Sequence, residues 1–349
     1  MSADILVVGP SWVGDMVMAQ ALFRRLQALA PDAAIDVLAP AWSLPLIARM
    51  PEVRAGIEMP LGHGEFAIGR RYLLGRGLRG RYQRAIVLPN SWKSALVPLF
   101  ARIPHRTGYA RELRYGLLND LRRLDRRRLP TTAAQFVALA ESSAPAAAPP
   151  IPVPQLRTDP RRGAQLLTGF GLDPQRPAYA LLPGAEYGPA KRWPAERYAE
   201  LARRLAAGGA QVWVLGSAKE RELAQAVAGD IATAHNLAGR TRLEDVVDLL
   251  ARARAAITND SGLMHVAAAV GIPLVAVYGS SDPRHTPPLS QRASIVYLGL
   301  SCSPCFAREC PLGHLNCLRG VTVERVMAEL AALKAYPPSR SGELSPGMQ

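Results

Sequence analysis

A turn at residues 259–262 has the composition of a phosphate site. The sequence Asn-Asp-Ser-Gly lies between a short apolar run, 255–258, and a small-residue helix predicted over 263–270. A strand that ends in a polar turn and feeds a helix offers unpaired backbone N–H groups and the positive end of the helix dipole. An apolar run at 273–278 predicts the next parallel strand. We therefore expect this turn to bind an anion.

A second loop, residues 183–194, combines Gly and Pro with the adjacent cations Lys191 and Arg192. Lys191 would neutralise an anion at close range. The alternative is a surface turn whose Trp193 packs beneath the next helix. The phosphate interpretation is favoured because this loop and the turn at 259–262 follow strands of one predicted sheet. Two anion sites at one sheet edge suit a pyrophosphate.

Weaker signals surround these two loops. His265 lies one turn into the predicted helix, where it could reach the phosphates or be a buried core histidine. The loops 216–220 and 236–241 end neighbouring strands and are typical of a base and ribose pocket. The sequence has neither an Asp-x-Asp motif nor a His/carboxylate cluster, so we expect protein cations and dipoles to neutralise the pyrophosphate. The candidate ligands for this anion and its nucleotide are Gly184, Lys191, Arg192, Gly216, Ser217, Asn259, Asp260, Ser261, Gly262 and His265.

Asp15 is the candidate catalytic residue of the first half. Gly9 and Gly14 imitate the spacing of a P-loop, but Asp15 and Met16 replace its Lys and Ser/Thr. The pattern is not G-x-G-x-x-G either, which argues against a nicotinamide site. Asp15 could cap the first helix, or it could act as a general base toward a hydroxyl. From chemistry alone the two roles are equal.

Basic residues are concentrated in one segment. Of a net charge of +14, residues 70–128 carry sixteen Lys and Arg against three acids, or 16 − 3 = +13. Such a surface could serve solubility alone, or it could bind nucleic acid, an anionic membrane or a phosphorylated acceptor. The abundance of Arg suits bidentate contacts to phosphate and carboxylate. Few interleaved aromatic residues and no nucleic-acid-binding motif make nucleic acid a poor candidate.

Four cysteines, Cys302, Cys305, Cys310 and Cys317, fall within sixteen residues with the spacing C-x2-C-x4-C-x6-C. They could hold a structural zinc ion, although the two C-x2-C pairs of common zinc ribbons are absent. The alternative is a loop of reduced thiols that braces the last crossover helix. No partner base identifies a catalytic thiol.

The elements that position these residues alternate between strand and helix. Strands are predicted at 5–8, 34–39, 85–88, 179–182, 211–215 and 235–237, and helices at 16–30, 42–50, 94–101, 194–207, 218–228 and 243–253. This alternation is typical of βαβ units in parallel sheets. Five prolines and four alanines at 143–156 predict a semi-rigid linker. We therefore predict two α/β, doubly wound domains, 1–150 and 151–336, and a disordered tail at 337–349.

The bulk composition favours a cytoplasmic globular protein. Hydrophobic residues make up 49% of the 349-residue chain, and no run approaches the ~18 apolar residues of a membrane span. The first strand begins within a few residues of Met1, which leaves no room for a signal peptide.

Six segments together carry a family likeness. They resemble glycosyltransferase family 9, the bacterial ADP-heptose:lipopolysaccharide heptosyltransferases, over about residues 3–335, and most of all the type II branch of inner-core assembly. The six segments are GPSWVGDMVMAQAL, MPLGHGEFAIGRR, LPNSWKSALVPLFARIPHRTGY, RYGLLND, PGAEYGPAKRWP and TNDSGLMHVAAAVGIPLVAVYG. The resemblance implies a GT-B fold, with two Rossmann-like domains facing a central cleft. The last helix could pack back on the first domain.

The resemblance also implies an activity. The donor ADP-heptose would lie on the C-terminal domain and the acceptor, heptosyl-Kdo2-lipid A, on the N-terminal domain. L-glycero-D-manno-heptose would pass to the first heptose of the acceptor by an inverting transfer that needs no metal cofactor. Asp15 matches the proposed base, Lys191 the donor-phosphate ligand, and Asp260, Ser261 and Gly262 the turn beside the pyrophosphate.

The acceptor would lie at the cytoplasmic face of an anionic inner membrane, which the basic segment suits. The acceptor-binding candidates are Gly14, Arg70, Arg71, Lys93, Arg106, Arg111 and Arg114. The alternatives within this class are type I and later-core heptosyltransferases. From other classes they are a GT-B-like sugar-nucleotide epimerase and a non-catalytic polyanion-binding protein.

Overall fold

The computed structural model describes residues 4–62, 65–142 and 148–334. The chain divides into two compact units, the first ending at Pro154 and the second beginning at Gln155. Part of the predicted linker, 143–147, and all of the predicted disordered tail, 337–349, lie outside the described residues. Within those described, no helix is both long and apolar enough to cross a membrane.

The first unit contains a six-stranded parallel sheet flanked by helices. Its strands are β1 Ile5–Val8, β2 Ile35–Ala39, β3 Val53–Glu58, β4 Arg84–Val87, β5 His105–Tyr109 and β6 Asp120–Arg122. Its helices are α1 Val13–Leu29, α2 Leu44–Ile47, α3 Ile68–Gly77, α4 Leu96–Phe100 and α5 Thr132–Ala138. The strand order is β3-β2-β1-β4-β5-β6, the order of a Rossmann fold.

The second unit repeats this topology. Its strands are β7 Ala178–Leu182, β8 Gln211–Val214, β9 Ala234–Asn236, β10 Ala255–Asn259, β11 Leu274–Val277 and β12 Ala293–Val296. Its helices are α6 Pro160–Phe170, α7 Ala195–Ala207, α8 Arg221–Ala228, α9 Leu243–Leu250, α10 Gly262–Val270, α11 Asn316–Arg319 and α12 Val323–Lys334. The order β12-β11-β10-β7-β8-β9 is the same winding read from the other edge.

Each sheet is held by central strands that are buried on both faces. β1, β7 and β10 consist of buried residues throughout, which is why they read as continuous apolar runs rather than alternating ones. Helices cover the sheet faces, and α12 packs on α7, β11 and β12, burying Val326 and Leu330. The prediction of two doubly wound α/β sheets is confirmed.

Two predicted helices are interrupted. The segment predicted as a helix over 42–50 is a 3-10 turn, Ala41–Ser43, followed by the single turn α2. The segment predicted over 94–101 likewise begins as the 3-10 turn Trp92–Ala95 and continues as α4. Pro45 and Pro98 lie in the first turn of α2 and of α4, where a backbone N–H has no acceptor in the helix. An α-helix that began several residues earlier would need the N–H that proline lacks, so each α-helix starts later than predicted.

The winding direction reverses between β1 and β4 in the first unit and between β7 and β10 in the second. In open α/β sheets, ligands bind beyond the carboxyl ends of the strands at such a reversal. The loops that leave β1, β4, β7 and β10 are therefore the ones to examine for chemistry.

Candidate active site

The two predicted anion loops meet at the strand reversal of the second unit. β7 and β10 are hydrogen-bonded neighbours, so the loop after β7 and the turn after β10 emerge side by side. Lys191 Nζ lies 2.5 Å from Asp260 Oδ2, and the two side chains are 19% and 5% exposed. Ser281 Oγ donates to the same carboxylate oxygen at 2.5 Å. The expectation that Lys191 and Asp260 share one sheet edge holds in the structure, and Ser281 joins them.

The helix α10 begins directly beside this ion pair. Ser261 is its N-cap residue, in an extended conformation and without a side-chain capping bond, and Gly262 is its first residue. Both are half-buried. The first N–H groups of a helix have no acceptor within the helix, and its N-terminus carries partial positive charge. An anion placed here would be close to backbone donors of α10 and to the Lys191–Asp260 pair.

Lys191 is held in place by an aromatic and backbone frame. Its Nζ lies 5.1 Å from the centre of the Tyr187 ring, and the Arg308 guanidinium lies 5.2 Å from the same ring. Tyr187 Oη donates to the carbonyl of Phe306 at 2.7 Å, and Ala190 N donates to the carbonyl of Arg308 at 3.0 Å. The cysteine-rich loop, residues 302–317, therefore braces the lysine loop, residues 183–194, a role that the sequence did not predict.

Arg192 and Asn259 serve the loop rather than an open site. Both Nε and Nη2 of Arg192 donate to the carbonyl of Ala185. Asn259 is fully buried. Its Oδ1 accepts from Trp193 N at 2.9 Å and from Tyr198 Oη at 3.1 Å, while Nδ2 donates to the Pro183 carbonyl at 2.6 Å. The expectation that the Asn259 side chain binds the ligand does not suit this geometry, because its amide is already used to shape the lysine loop.

Glu220 was missed by sequence reasoning and lies among three predicted ligands. Its Oε2 accepts from Ser217 N at 2.8 Å and from Ser217 Oγ at 3.0 Å. A Cβ at Gly184 would lie 1.9 Å from Glu220 Oε1, and one at Gly216 would lie 2.9 Å from Oε2. The glycines thus make room for a carboxylate at the β7–β8 edge. The capping-box spacing of Ser217 and Glu220 was the available sequence signal.

His265 is neutral at physiological pH. It is 4% exposed in α10, and burial lowers its pKa to about 4. The negative charge of Asp260 opposes this shift and the positive charge of Lys191 adds to it. Of the two roles that the sequence left open, burial favours the core histidine.

We expect this histidine to make the folded protein less stable in acid. Between the unfolded pKa of about 6.5 and the folded value of about 4, only the unfolded chain binds the proton, so stability falls as pH drops through this range. When the pH is lowered from 7.5 to 4.5, the free energy of unfolding measured with urea should fall by about 2 kcal/mol less in His265→Gln than in the unsubstituted protein. Equal losses in the two proteins would contradict this origin.

The structure does not show the predicted zinc site at the four cysteines. In the part of the chain that the structure describes, no three Cys, His, Asp or Glu side chains converge as a metal ion would require. Cys317 is buried in the core beside Leu318, and burial raises its pKa. Cys310 is hydrogen-bonded by nearby backbone N–H groups, which lower the pKa of its thiol. The contacts of Phe306 and Arg308 make this loop a brace for the lysine loop.

In the first unit, Gly14 and Asp15 lie in the first turn of α1, beyond the carboxyl end of β1. Both are half-buried. Position 9, just before this turn, has room only for glycine, because a Cβ there would lie 2.7 Å from Met16 Cε and 3.2 Å from Val37 Cγ1. The α1 N-cap position belongs to Trp12, not to Asp15. Asp15 thus has the strand-edge position that a base at the reversal of this sheet needs.

Three of the predicted acceptor ligands point inward. Arg71, Arg106 and Arg114 donate to backbone carbonyls: Arg71 to those of Glu65, Phe66 and Lys93, Arg106 to those of Ile103 and Leu117, and Arg114 to those of Pro89 and Tyr109. Burial lowers the pKa of each guanidinium. Their expected role as ligands of an acceptor phosphate does not suit these positions, because the donors already hold loops together.

The remaining acceptor candidates are accessible to a ligand. Arg70 is 64% exposed and lies 3.4 Å from Glu65 Oε1. Arg111 is exposed and Lys93 is half-buried. These three cations therefore remain candidates for an acidic acceptor.

Comparison with known proteins places the chain in a family. The model of glycosyltransferase family 9 (heptosyltransferase) matches residues 71–316. Lipopolysaccharide heptosyltransferase 2 of Escherichia coli K12 is 49% identical over 94% of this chain and 98% of that protein. Lipooligosaccharide heptosyltransferase 2 of Haemophilus influenzae is 50% identical over 84% and 88%, respectively.

Solved structures agree. The structure of E. coli ADP-heptose lps heptosyltransferase II has a TM-score of 0.86 and 48% identity, covering 95% of this chain and 98% of that chain. An E. coli heptosyltransferase solved with ADP, at 21% identity, shares the fold with a TM-score of 0.70. The predicted GT-B fold is confirmed. The chain belongs to glycosyltransferase family 9, the heptosyltransferases, as its six motifs predicted.

Proposed function

We propose that this protein transfers L-glycero-D-manno-heptose from ADP-heptose to the first heptose of heptosyl-Kdo2-lipid A, with inversion at the transferred carbon. The observation that carries the proposal is the Lys191–Asp260 pair at the N-terminus of α10. It provides a cation and free backbone donors at the strand reversal, where a nucleoside diphosphate would place its charge. The type II relatives, similar over nearly the whole chain, support the choice of donor and acceptor.

Donor binding would use the second unit. The diphosphate would accept from Lys191 and from the first N–H groups of α10, which also stabilise the negative charge of the departing ADP. Glu220 lies at the same sheet edge, two strands from β10, in a pocket lined by Gly184 and Gly216. A carboxylate there is suited to accept hydrogen bonds from ribose hydroxyls.

Asp15 would act as the base. An acceptor hydroxyl attacks the anomeric carbon of the donor heptose from the face opposite ADP. The new bond joins that oxygen to the anomeric carbon, and the bond to the phosphate oxygen breaks. The hydroxyl proton passes to the Asp15 carboxylate, and ADP leaves with its electron pair. The position of Asp15 beyond β1 supports this assignment.

Acceptor binding would use the first unit. The acceptor carries carboxylate and phosphate groups, which Arg70, Lys93 and Arg111 could bind. Arg71, Arg106 and Arg114 are left out of this set because their guanidinium groups hold loop carbonyls.

The test is incubation of the purified protein with ADP-heptose and defined acceptors: Kdo2-lipid A, heptosyl-Kdo2-lipid A and a longer core. We expect transfer to heptosyl-Kdo2-lipid A. Transfer to Kdo2-lipid A instead would indicate a type I enzyme, and transfer to the longer core alone a later-core enzyme. Absence of transfer to all three would overturn the proposal and favour a polyanion-binding protein or, if ADP-heptose were itself converted, an epimerase.

We also propose peripheral contact with the cytoplasmic face of an anionic inner membrane. The surface of α3 supports it: Ile68 and Leu73 are 51% and 62% exposed, and Arg70 and Arg76 are exposed on the same helix. Apolar side chains would enter the headgroup region while the arginines attract anionic lipid.

Vesicle co-sedimentation measures this contact. We expect binding to vesicles of phosphatidylethanolamine with phosphatidylglycerol and much weaker binding to phosphatidylcholine vesicles. Leu73→Ser should lower the partition coefficient about threefold to tenfold, because a buried leucine side chain contributes about 1.5–3 kcal/mol, only part of which a shallow contact realises. Leu29→Ser, an exposed leucine at the end of α1 (47% exposed), is the control. Equal partition of the Leu73 variant and the parent protein would exclude α3 as the contact.

A further inference from the structure

Buried arginines connect three loops at the carboxyl edge of the first sheet through hydrogen bonds. Arg71 donates to the carbonyls of Phe66 and Lys93, which joins the segment before α3 to the loop after β4. Arg114 donates to those of Pro89 and Tyr109, which joins the loop after β4 to the end of β5. These buried arginines therefore hold the three loops in fixed positions around the space between them.

A cleft of about 590 Å³ lies there, lined by Trp92, Glu112 and Leu113. This volume is within the range of small-molecule sites. Trp92 is 40% exposed, and its ring centre lies 5.2 Å from that of Phe66. Its backbone N–H donates to Glu112 Oε2 at 3.2 Å, which connects the two walls. The cleft thus offers an aromatic face beside a carboxylate.

The backbone around the cleft is strained. Ala67, Glu112 and Leu113 have φ angles of 36°, 40° and 46°, a left-handed region that residues other than glycine rarely adopt. Such strain costs about 1–3 kcal/mol per residue and is concentrated at binding and catalytic sites. Leu113 is also 86% exposed, so the strain gains no burial for its side chain. Core packing therefore does not account for the strain at Leu113.

The charge of the lining is opposite to that of its surroundings. Residues 70–128 carry a net charge of +13, yet among the described residues that line the cleft the charged one is Glu112. A carboxylate repels phosphate and carboxylate groups and accepts hydrogen bonds from hydroxyls. An indole face packs on the apolar C–H face of a pyranose ring, and a nearby hydrogen-bond acceptor sets its orientation. The lining suits an uncharged sugar rather than a phosphate.

We propose that this cleft is a saccharide subsite, in which Trp92 stacks on a neutral pyranose of the acceptor and Glu112 accepts from its hydroxyls. The proposal rests on the proposed function for the identity of the acceptor. Its position supports it, because Trp92 follows β4 and Asp15 follows β1, and these two strands are neighbours at the reversal of the sheet. Trp92 is a positioning residue, with no part in the proton transfer.

Steady-state kinetics of three variants test the subsite. Trp92→Ala should raise the KM for heptosyl-Kdo2-lipid A about tenfold to thirtyfold, the loss typical of a buried aromatic anchor. The KM for ADP-heptose should stay within twofold. Trp92→Phe keeps an aromatic face and should restore the acceptor KM to within about threefold. Trp42→Ala is the matched control, because Trp42 is 41% exposed and follows β2 on the other side of β1.

A binding measurement separates this proposal from the proposed function. Titration of the intrinsic tryptophan fluorescence with methyl α-mannopyranoside should change the emission of the parent protein and leave that of Trp92→Phe unchanged, while inorganic phosphate should not compete. If the parent protein transfers heptose but Trp92→Ala keeps its acceptor KM, the subsite is wrong and the proposed function stands. If the parent protein transfers nothing but the titration behaves as expected, the subsite stands and the proposed function fails.

Discussion

Replacing Asp15 by Asn is expected to lower kcat for heptosyl transfer by about 10³-fold, within the range for removal of a general base. The amide is nearly isosteric with the carboxylate but cannot take the acceptor's proton in the transition state. The residue belongs to the first unit, whereas Lys191 and α10 belong to the second. The dissociation constant for ADP-heptose, measured by calorimetry, should therefore stay within about twofold.

Asp32→Asn is the matched control. Asp32 is exposed beyond the end of α1, and its substitution removes the same charge from the same unit. Its kcat should equal that of the parent protein. An Asp15→Asn protein that folds, binds donor and turns over at the parent rate would leave Asp15 a structural residue of the first helical turn.

Replacing Lys191 by Met is expected to reduce kcat/KM for ADP-heptose by at least about 10²-fold. A preorganised donor to developing negative charge contributes about 2.7–4 kcal/mol to the transition state, and ADP leaves with added charge on its terminal phosphate. The KM for the acceptor should change little. Measuring both KM values in one assay separates a donor defect from a general loss of structure.

This substitution also removes the partner of Asp260, which is 5% exposed and keeps only the Ser281 hydroxyl among the contacts described above. The unpaired carboxylate should destabilise the second unit by a few kcal/mol, so the double variant Lys191→Met/Asp260→Asn should recover thermal stability without recovering activity. Lys219→Met, at an 80% exposed lysine near the same sheet edge, is the control. Parent-like donor kinetics in Lys191→Met would exclude the lysine from the donor site.

The sequence was sufficient for the parts of the fold that its apolar patterns reveal. β1, β7 and β10 are buried on both faces, so they are uninterrupted apolar runs and were predicted almost to the residue. β3 was not assigned, because it is a mostly exposed edge strand with no apolar run. Helix α3 was not assigned either, since three glycines and three arginines over ten positions give it little helical pattern.

The site was predictable where turn chemistry decides it and not where tertiary contacts do. The lysine loop and the turn after β10 are recognisable in the sequence by their Gly, Pro and polar residues. The pairing of two adjacent strands, β7 and β10, then brings them together. The direction in which an arginine side chain points depends instead on tertiary contacts. Arg70 and Arg71 are neighbours in sequence, yet one faces solvent and the other donates to three carbonyls, two in the segment just before α3 and one in the loop after β4. Composition alone could not separate them.

The inward arginines determine how the first unit responds to salt. Arg71, Arg106 and Arg114 bond neutral peptide carbonyls rather than carboxylates. Dissolved salt screens interactions between exposed charges over about 8 Å at physiological concentration, but it weakens buried contacts far less. Concentrated salt should therefore detach the protein from an anionic lipid surface while its acceptor loops keep their shape. One basic segment thus holds two kinds of arginine: exposed ones, which salt screens and which we propose attract the membrane, and inward ones, whose bonds to loop carbonyls resist salt.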